Sequence, residues 1–146
     1  MNLPIKALAA AAAAAVFATS ALAQSAAPFL VPIEREPAPG LIVEPPLPGP
    51  LARGLVFIPY RVDNVRILPV AGESARNLSP RVGHLHITVD DLPWQWVEFG
   101  DSNTIAVAGM PPGQHKLLIQ LVDPVGNVFA AQTVTFTVPG TASPLR

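Results

Sequence analysis

Two histidines, His84 and His86, are the residues of this chain whose type and spacing are best suited to chemistry. They lie two positions apart in a stretch that alternates between polar and apolar side chains, and alternate residues of a β-strand share one face of the sheet. Both imidazoles are therefore predicted on the outer face, within reach of a single copper or zinc ion. Asp90 has the same parity and is a further candidate ligand.

A third histidine, His115, would complete a set of three imidazole ligands, and the chain contains no other histidine. In its own strand, however, His115 has the parity of Leu117 and Ile119, which are expected to face the core. That parity places His115 on the opposite side of its sheet from the pair, unless its strand begins irregularly after Gly113 or a neighbouring chain supplies the histidine. The alternative for His84 and His86 is that they are outward polar side chains that hydrogen-bond locally.

Aromatic side chains form a second candidate site. Trp94 and Trp96 are also two positions apart, so on a strand they share a face, and Tyr60 is a third candidate member. Exposed rings on one face would form a stacking platform for sugars or for the apolar surface of a partner. The alternative is core packing, because a tryptophan on an early strand is an ordinary core anchor of a β-sandwich.

Composition and motif content exclude several classes of function. The formal net charge is −1, with acidic and basic residues interspersed, so there is no electrostatic footprint for nucleic acid. Cysteine is absent, which removes thiolate metal sites and thiol nucleophiles. The sequence has no serine-nucleophile elbow, no H-E-x-x-H motif, no phosphate loop and no dinucleotide fingerprint. We predict that no residue is catalytic and that the protein is not an enzyme.

The elements that would position these residues are short strands separated by Gly, Pro, Asn and Asp. Residues 83–90 show the clearest alternation, because Leu85, Ile87 and Val89 share one face and the two histidines share the other. No stretch after residue 53 has helical periodicity. The predicted fold is an all-β, immunoglobulin-like two-sheet sandwich of about seven strands. The predicted strands are residues 55–60, 65–70, 83–90, 94–99, 104–107, 115–122 and 128–138, the last bent or bulged.

The N-terminal residues predict export. Residues 1–23 have a basic start, an apolar run and the small-x-small site Ala21-Leu22-Ala23, which is the pattern of a signal peptide cleaved after Ala23. No membrane span is expected after cleavage. Residues 24–53 are rich in proline and are interpreted as an extended arm, part of which lies against the domain or a partner. The sandwich is expected over residues 54–139, followed by a short tail at residues 140–146.

Three segments together resemble a family of short exported bacterial proteins of unknown function. They are R-G-L-V-F-I-P-Y at residues 53–60, G-H-L-H-I-T-V-D-D at residues 83–91 with the tryptophans after it, and P-P-G-Q-H-K at residues 111–116. This resemblance spans residues 37–139. It implies a periplasmic or secreted β-sandwich and supplies no activity. The last third also resembles bacterial immunoglobulin-like modules, which implies fold alone.

The function predicted from the sequence is that of a non-enzymatic, exported binding or interaction module of the bacterial cell envelope. Its partner would be a protein or an envelope component, contacted through the arm, the sheet edges or the tryptophans. The alternative is a periplasmic protein that binds copper or zinc through the His-x-His strand. The identity of the partner and the oligomeric state do not follow from the sequence.

Overall fold

The strands of this protein follow the alternation of apolar and polar side chains. A computed structural model describes residues 32–100 and 102–140. Within these residues, eight strands form two sheets, which confirms the predicted all-β sandwich. The strands are β1 (Gly40–Val43), β2 (Leu55–Asp63), β3 (Arg66–Ile67), β4 (Val82–Val89), β5 (Trp96–Glu98), β6 (Thr104–Ala108), β7 (Gly113–Val122) and β8 (Val128–Val138). The predicted signal peptide, the first residues of the arm and most of the tail lie outside the described residues.

The smaller sheet has the strand order β1-β2-β6, and the larger sheet has the order β3-β4-β7-β8, with β5 also paired to β4. All pairings are antiparallel except the short parallel pairing of β3 with β4. In the described part of the chain, three short helical segments lie outside the sheets. They are 3-10 turns at Ile33–Arg35 and Glu73–Ala75 and a single α-helical turn, α1, at Pro48–Leu51. None of the helices among residues 32–100 and 102–140 has the length and hydropathy needed to cross a bilayer.

The core lies between the two sheets and consists of the inward residues of each strand. Strand β4 contributes Leu85, Ile87 and Val89, as its alternation predicted. Burial of such side chains stabilises the fold by about 25 cal/mol for each Å² of apolar surface removed from water. The fully buried members of this core are Val56, Ile58, Leu85, Ile87, Ile105, Leu117, Ile119, Leu121 and Val138.

Strand β2 is central in the smaller sheet although it contains Pro59, a residue that has no backbone N–H to donate. Its first half pairs with β6, from Leu55 to Pro59, and its second half pairs with β1, beginning at Tyr60. Pro59 therefore lies where one ladder ends and the other begins. The backbone N–H that Pro59 lacks costs the sheet least at this point, because the ladder with β6 ends here and the ladder with β1 begins.

Part of the proline-rich segment is a strand of the sandwich. Residues Gly40–Val43 form β1, and Leu41 is buried in the core. The side-chain amide of Gln132, on β8 of the other sheet, accepts a hydrogen bond from Val43 N at 3.0 Å and donates one to Leu41 O at 3.0 Å. This amide occupies the free edge of β1 much as a neighbouring strand would, and so joins the two sheets along one side.

A carboxylate fastens the residues that precede β1. Glu36 accepts hydrogen bonds from the Ser79 hydroxyl at 2.6 Å and from the Arg81 backbone N–H at 3.0 Å. The Ser79 hydrogen bond is the largest cause of a lowered pKa at Glu36, and the Arg81 backbone N–H and guanidinium act in the same direction. Residues 36–43 are thus held to the sandwich at both ends, whereas the sequence had placed its start at Gly54.

Candidate functional site

The histidine pair lies on β4, on the sheet face opposite the core. His84 pairs with Val122 and His86 with Gln120 on β7, and His86 also pairs with Val97 on β5. Because β4 has neighbours on both sides here, its backbone position is set by two ladders of hydrogen bonds. The two rings are 5.0 Å apart between centroids, and their Nε2 atoms are 3.1 Å apart.

Gln95 connects this pair to the loop before β5. Its Nε2 atom lies 2.9 Å from His86 Nδ1. When that amide N–H donates, His86 carries its proton on Nε2 and donates it to His84 Nε2, and His84 carries its own proton on Nδ1. A half-turn of the amide places its oxygen at the same position instead, where it accepts a hydrogen bond from the Nδ1–H group of His86. The amide orientation therefore selects the tautomer of His86.

The two imidazoles differ in burial. His86 is half-buried, whereas His84 is only 5% exposed. The outward parity of His84 was predicted, but other residues cover that face, and the Phe99 ring lies 4.9 Å from His84. Nδ1 of His84 has no hydrogen-bond partner among the described residues. An unsatisfied buried polar atom costs about 1–3 kcal/mol, so this imidazole is retained at a cost to stability.

Burial keeps both imidazoles neutral near pH 7. It is the largest cause of the lowered pKa of His84, to which the neighbouring His86 adds, although Asp123 acts in the opposite direction. Burial likewise lowers the pKa of His86. Neutral imidazole is the form that has a lone pair for a metal ion.

The Nε2 separation is suitable for a shared metal ion. Two nitrogens, each about 2.1 Å from one ion, are about 3.1 Å apart when they subtend about 95° at that ion. Across residues 32–100 and 102–140, no three His, Cys, Asp or Glu side chains are grouped so that they could surround an ion. The described chain therefore offers two ligands, and the other coordination positions would be filled from outside this set.

His115 and Asp90, the other two ligands predicted from sequence, are not grouped with this pair. Val122, the partner of His84, is seven positions from His115 on β7, which is roughly 24 Å along the strand at about 3.4 Å per residue. Asp90 follows the end of β4 with φ of 48°, and this left-handed conformation ends the alternation on which its prediction depended. The prediction of a four-residue metal site was therefore wrong for these two residues.

His115 and Asp90 instead bond to each other. His115 Nδ1 lies 2.7 Å from Asp90 Oδ2, and its Nε2 lies 2.8 Å from the carbonyl oxygen of Pro111. The other Asp90 oxygen accepts the Lys116 backbone N–H at 2.8 Å. A carboxylate and a carbonyl are both acceptors, so the ring satisfies both only as the imidazolium, which donates from both nitrogens. These hydrogen bonds form a clasp between the turn after β4 and the connection from β6 to β7, which passes from the smaller sheet to the larger one.

The clasp predicts a pH-dependent contribution to stability. Burial lowers the pKa of His115, but the hydrogen bonds to Asp90 and Pro111 outweigh it, so the net pKa lies above the usual 6.5. A raised folded-state pKa contributes stability that is complete below pH 6.5 and is lost as the pH rises through the folded value. We expect the free energy of unfolding of wild type to exceed that of His115→Gln by about 1–2 kcal/mol at acidic pH. The difference should be smaller at alkaline pH.

Urea denaturation of both proteins from about pH 5.5 to about pH 9 measures this difference, since groups common to both cancel. Asp90→Asn is the matched control, because it removes the charge beside His115 and should lower the pKa of that ring in an NMR titration. A difference that stays constant or increases toward alkaline pH would contradict the imidazolium clasp.

The aromatic candidates divide between the core and the surface. Tyr60 is 4% exposed, and its hydroxyl donates to the carbonyl of Gly100 at 3.0 Å, so its predicted role in ligand contact was wrong. Trp96 opposes Ile87 and packs on the core cluster. Trp94 is 54% exposed, with its ring centroid 6.5 Å from that of Trp96. The two indoles do lie together as predicted, but only Trp94 is largely exposed.

Sequence reasoning missed Gln95 and Phe99. Both lie in or beside the segment that pairs with β4, and both have the parity of Val97, which opposes His86. The β4–β5 register would have placed them beside the histidines. That register depends on the length and shape of the loop between the strands, which the sequence pattern did not determine.

Comparisons with known proteins identify the family of this chain and supply no function. No curated protein and no solved structure matches the chain significantly. A family model, described as a family of unknown function (DUF6130), matches residues 1–145. The resemblance noted from the histidine strand and the P-P-G-Q-H-K segment, to a family of unknown function, is thereby confirmed. The chain belongs to the family of unknown function DUF6130.

Proposed function

We propose that this protein is a non-enzymatic, exported binding module of the bacterial cell envelope and that its ligand is a divalent transition metal ion held by His84 and His86. The observation that carries the proposal is the 3.1 Å separation of their Nε2 atoms. Export is inferred from the signal-peptide pattern of residues 1–23.

The neighbours of the pair support metal binding. Metal-bound histidine usually donates its second ring N–H to a carbonyl or carboxylate, and the Gln95 oxygen can accept that proton from His86 after a half-turn of the amide. His84 needs no change of tautomer, because its proton is already on Nδ1. Binding an ion therefore requires one proton shift and one amide rotation within the pair and its partner, with no movement of the strand.

Cu(II) is the ion that the ligand chemistry favours. Tetragonal sites of nitrogen and oxygen ligands are typical of Cu(II), and its affinity for such ligands exceeds that of the other divalent first-row ions. The remaining positions would be taken by water or by donors of an external ligand.

Titration of Cu(II) and Zn(II) into the purified protein tests the proposal. We expect one Cu(II) per chain, bound more tightly than Zn(II), with nitrogen couplings from two imidazoles in the electron paramagnetic resonance spectrum. His86→Asn should weaken Cu(II) binding by roughly tenfold or more, equivalent to about 1.4 kcal/mol. It is preferred to a His84 variant because His84 is buried, and circular dichroism would verify its fold.

His115→Gln is the matched control, since it removes a histidine outside the pair. It should bind Cu(II) as wild type does and retain the two-nitrogen spectrum. Equal Cu(II) affinity in wild type and in His86→Asn would refute the proposed site. So would loss of binding in His115→Gln alone.

A further inference from the structure

A groove beside the turn between β4 and β5 has the features of a second binding site. It has a volume of about 450 Å³ and is lined by Thr88, Leu92, Pro93, Trp94 and Gln95. That volume lies within the range of about 300–1,000 Å³ that is typical of small-molecule sites. None of these five residues belongs to the histidine pair.

Trp94 gives the groove an exposed aromatic face, and its ring contacts a tryptophan that packs on the core. Its ring lies against Trp96 at 6.5 Å and 38°, and Trp96 itself packs on the core. The turn before it contains two residues with positive φ, Asp90 and Asp91. It is closed by a hydrogen bond from Leu92 N to Val89 O at 2.9 Å. The indole is therefore held in place while more than half of its surface is exposed.

Polar groups accompany this aromatic face. The Thr88 hydroxyl can donate and accept hydrogen bonds. The Gln95 amide bonds His86 through one of its two polar atoms and leaves the other for a ligand, whichever way the amide is turned. No lining residue is charged. An ionised ligand would lose its hydration in this groove without gaining a counter-charge.

We propose that this groove binds a neutral saccharide unit of a glycan, with one apolar sugar face stacked on Trp94 and hydroxyl groups bonded to Thr88 and Gln95. A sugar ring combines an apolar C–H face with a rim of donors and acceptors, and the groove places an aromatic ring next to uncharged polar groups. A purely apolar partner would leave the hydroxyl and the amide unpaired, which costs binding energy. This site goes beyond the metal-binding function. It shares the Gln95 amide with the histidine pair, but its stacking surface, Trp94, is separate from the metal ligands.

The two indole N–H signals of the protein, one for each tryptophan, make NMR a direct test. Cellobiose and N,N′-diacetylchitobiose serve as neutral probes, each added up to about 10 mM, which saturates a site of millimolar Kd. We expect the Trp94 signal to shift in a saturable manner with at least one probe. Trp94→Ala should weaken that binding at least roughly tenfold, measured by saturation transfer to the sugar protons.

Two variants separate this site from its surroundings. Val97→Ala removes an exposed apolar side chain of β5 that does not line the groove, and it should bind as wild type does. His86→Asn should weaken Cu(II) binding by roughly tenfold or more and still bind the saccharide through Trp94, whereas Trp94→Ala should do the reverse. Failure of either proposed site is therefore distinguishable from failure of the other.

Absence of any saturable shift with both probes would overturn the proposal. Equal affinity in wild type and Trp94→Ala would do the same. A third contrary result is a wild-type dimer that becomes a monomer in Trp94→Ala, with no sugar bound by either. That result would assign the groove to contact between two copies of this chain.

Discussion

Replacing Gly83 with alanine is expected to destabilise the sandwich by about 3 kcal/mol or more, near the upper end of what overpacking costs. Gly83 lies in β4 immediately before His84 and is buried. A Cβ added there would collide with the backbone carbonyl oxygen of Val122 and would also press on a Val65 methyl group. The obstacle is backbone, which cannot move aside without separating β4 from β7.

The melting temperature of Gly83→Ala should fall by roughly 10–20 °C, measured by calorimetry or by circular dichroism. Gly49→Ala is the matched control, because a Cβ at that position in α1 meets nothing within 4 Å. Alanine is also favoured over glycine in a helix by about 0.5–1 kcal/mol. If Gly83→Ala melted within a degree or two of wild type, the close approach of β4 and β7 at this point would be wrong.

Removal of the Asp123 carboxylate is expected to have a similar effect through a different cause. This buried group holds the turn between β7 and β8, where Oδ1 accepts the backbone N–H groups of Val125 at 2.9 Å and Asn127 at 2.8 Å. Its Oδ2 accepts the Asn127 side-chain amide at 2.8 Å. Asp123→Ala leaves these donors without their acceptor, and we expect a loss of about 2–4 kcal/mol in the free energy of unfolding.

The Asp123 contribution should also depend on pH. Burial raises the pKa of this carboxyl, but hydrogen bonds from Asn127 and Val125 outweigh it, so the net pKa lies below the usual 3.8. A lowered carboxyl pKa contributes stability that is present above pH 3.8 and is lost as the pH falls through the folded value. The difference between wild type and Asp123→Ala should therefore diminish in acid, as urea denaturation at neutral and acidic pH would show.

Asp63→Ala is the control for loss of a carboxylate in general. Asp63 is 47% exposed in its side chain and pairs with the exposed Arg61, so its removal should change stability by less than about 1 kcal/mol. An equal effect of the two substitutions would contradict the assigned role of Asp123. Gly83 and Asp123 adjoin the His84–Val122 pairing on its two strands, so both changes also test the scaffold that positions the histidine pair.

The candidate metal site shows which ligand positions the alternation of side chains can predict and which it cannot. The parity of residues 83–90 placed His84 and His86 on one face and Leu85 and Ile87 on the other, and both placements match the structure. The same parity was extended to Asp90, where it failed, because a left-handed residue reverses the chain direction. Periodicity holds only while the backbone stays extended.

The proline-rich segment shows a different limit. The frequency of proline predicts that residues 24–53 form no long helix and no central strand. Within residues 32–53 the structure has only short helical turns and the edge strand β1. The frequency of proline does not reveal that the four residues of β1 find an edge of β2, or that Gln132 supplies the partner on the other side. The Gln132 contacts join residues about 90 positions apart, and no local pattern encodes which distant side chain meets a free strand edge.

The sequence by itself determined the fold class, the main strands and the face on which each of their side chains lies, because these follow from the two-residue period of an extended chain. Only the tertiary structure decided what lies against each face. It placed Phe99 against His84, joined Gln95 to His86 and His115 to Asp90, buried Tyr60 and left Trp94 exposed. Each of these contacts depends on the register between strands and on the shape of the connecting turns, which are set by packing of the whole core.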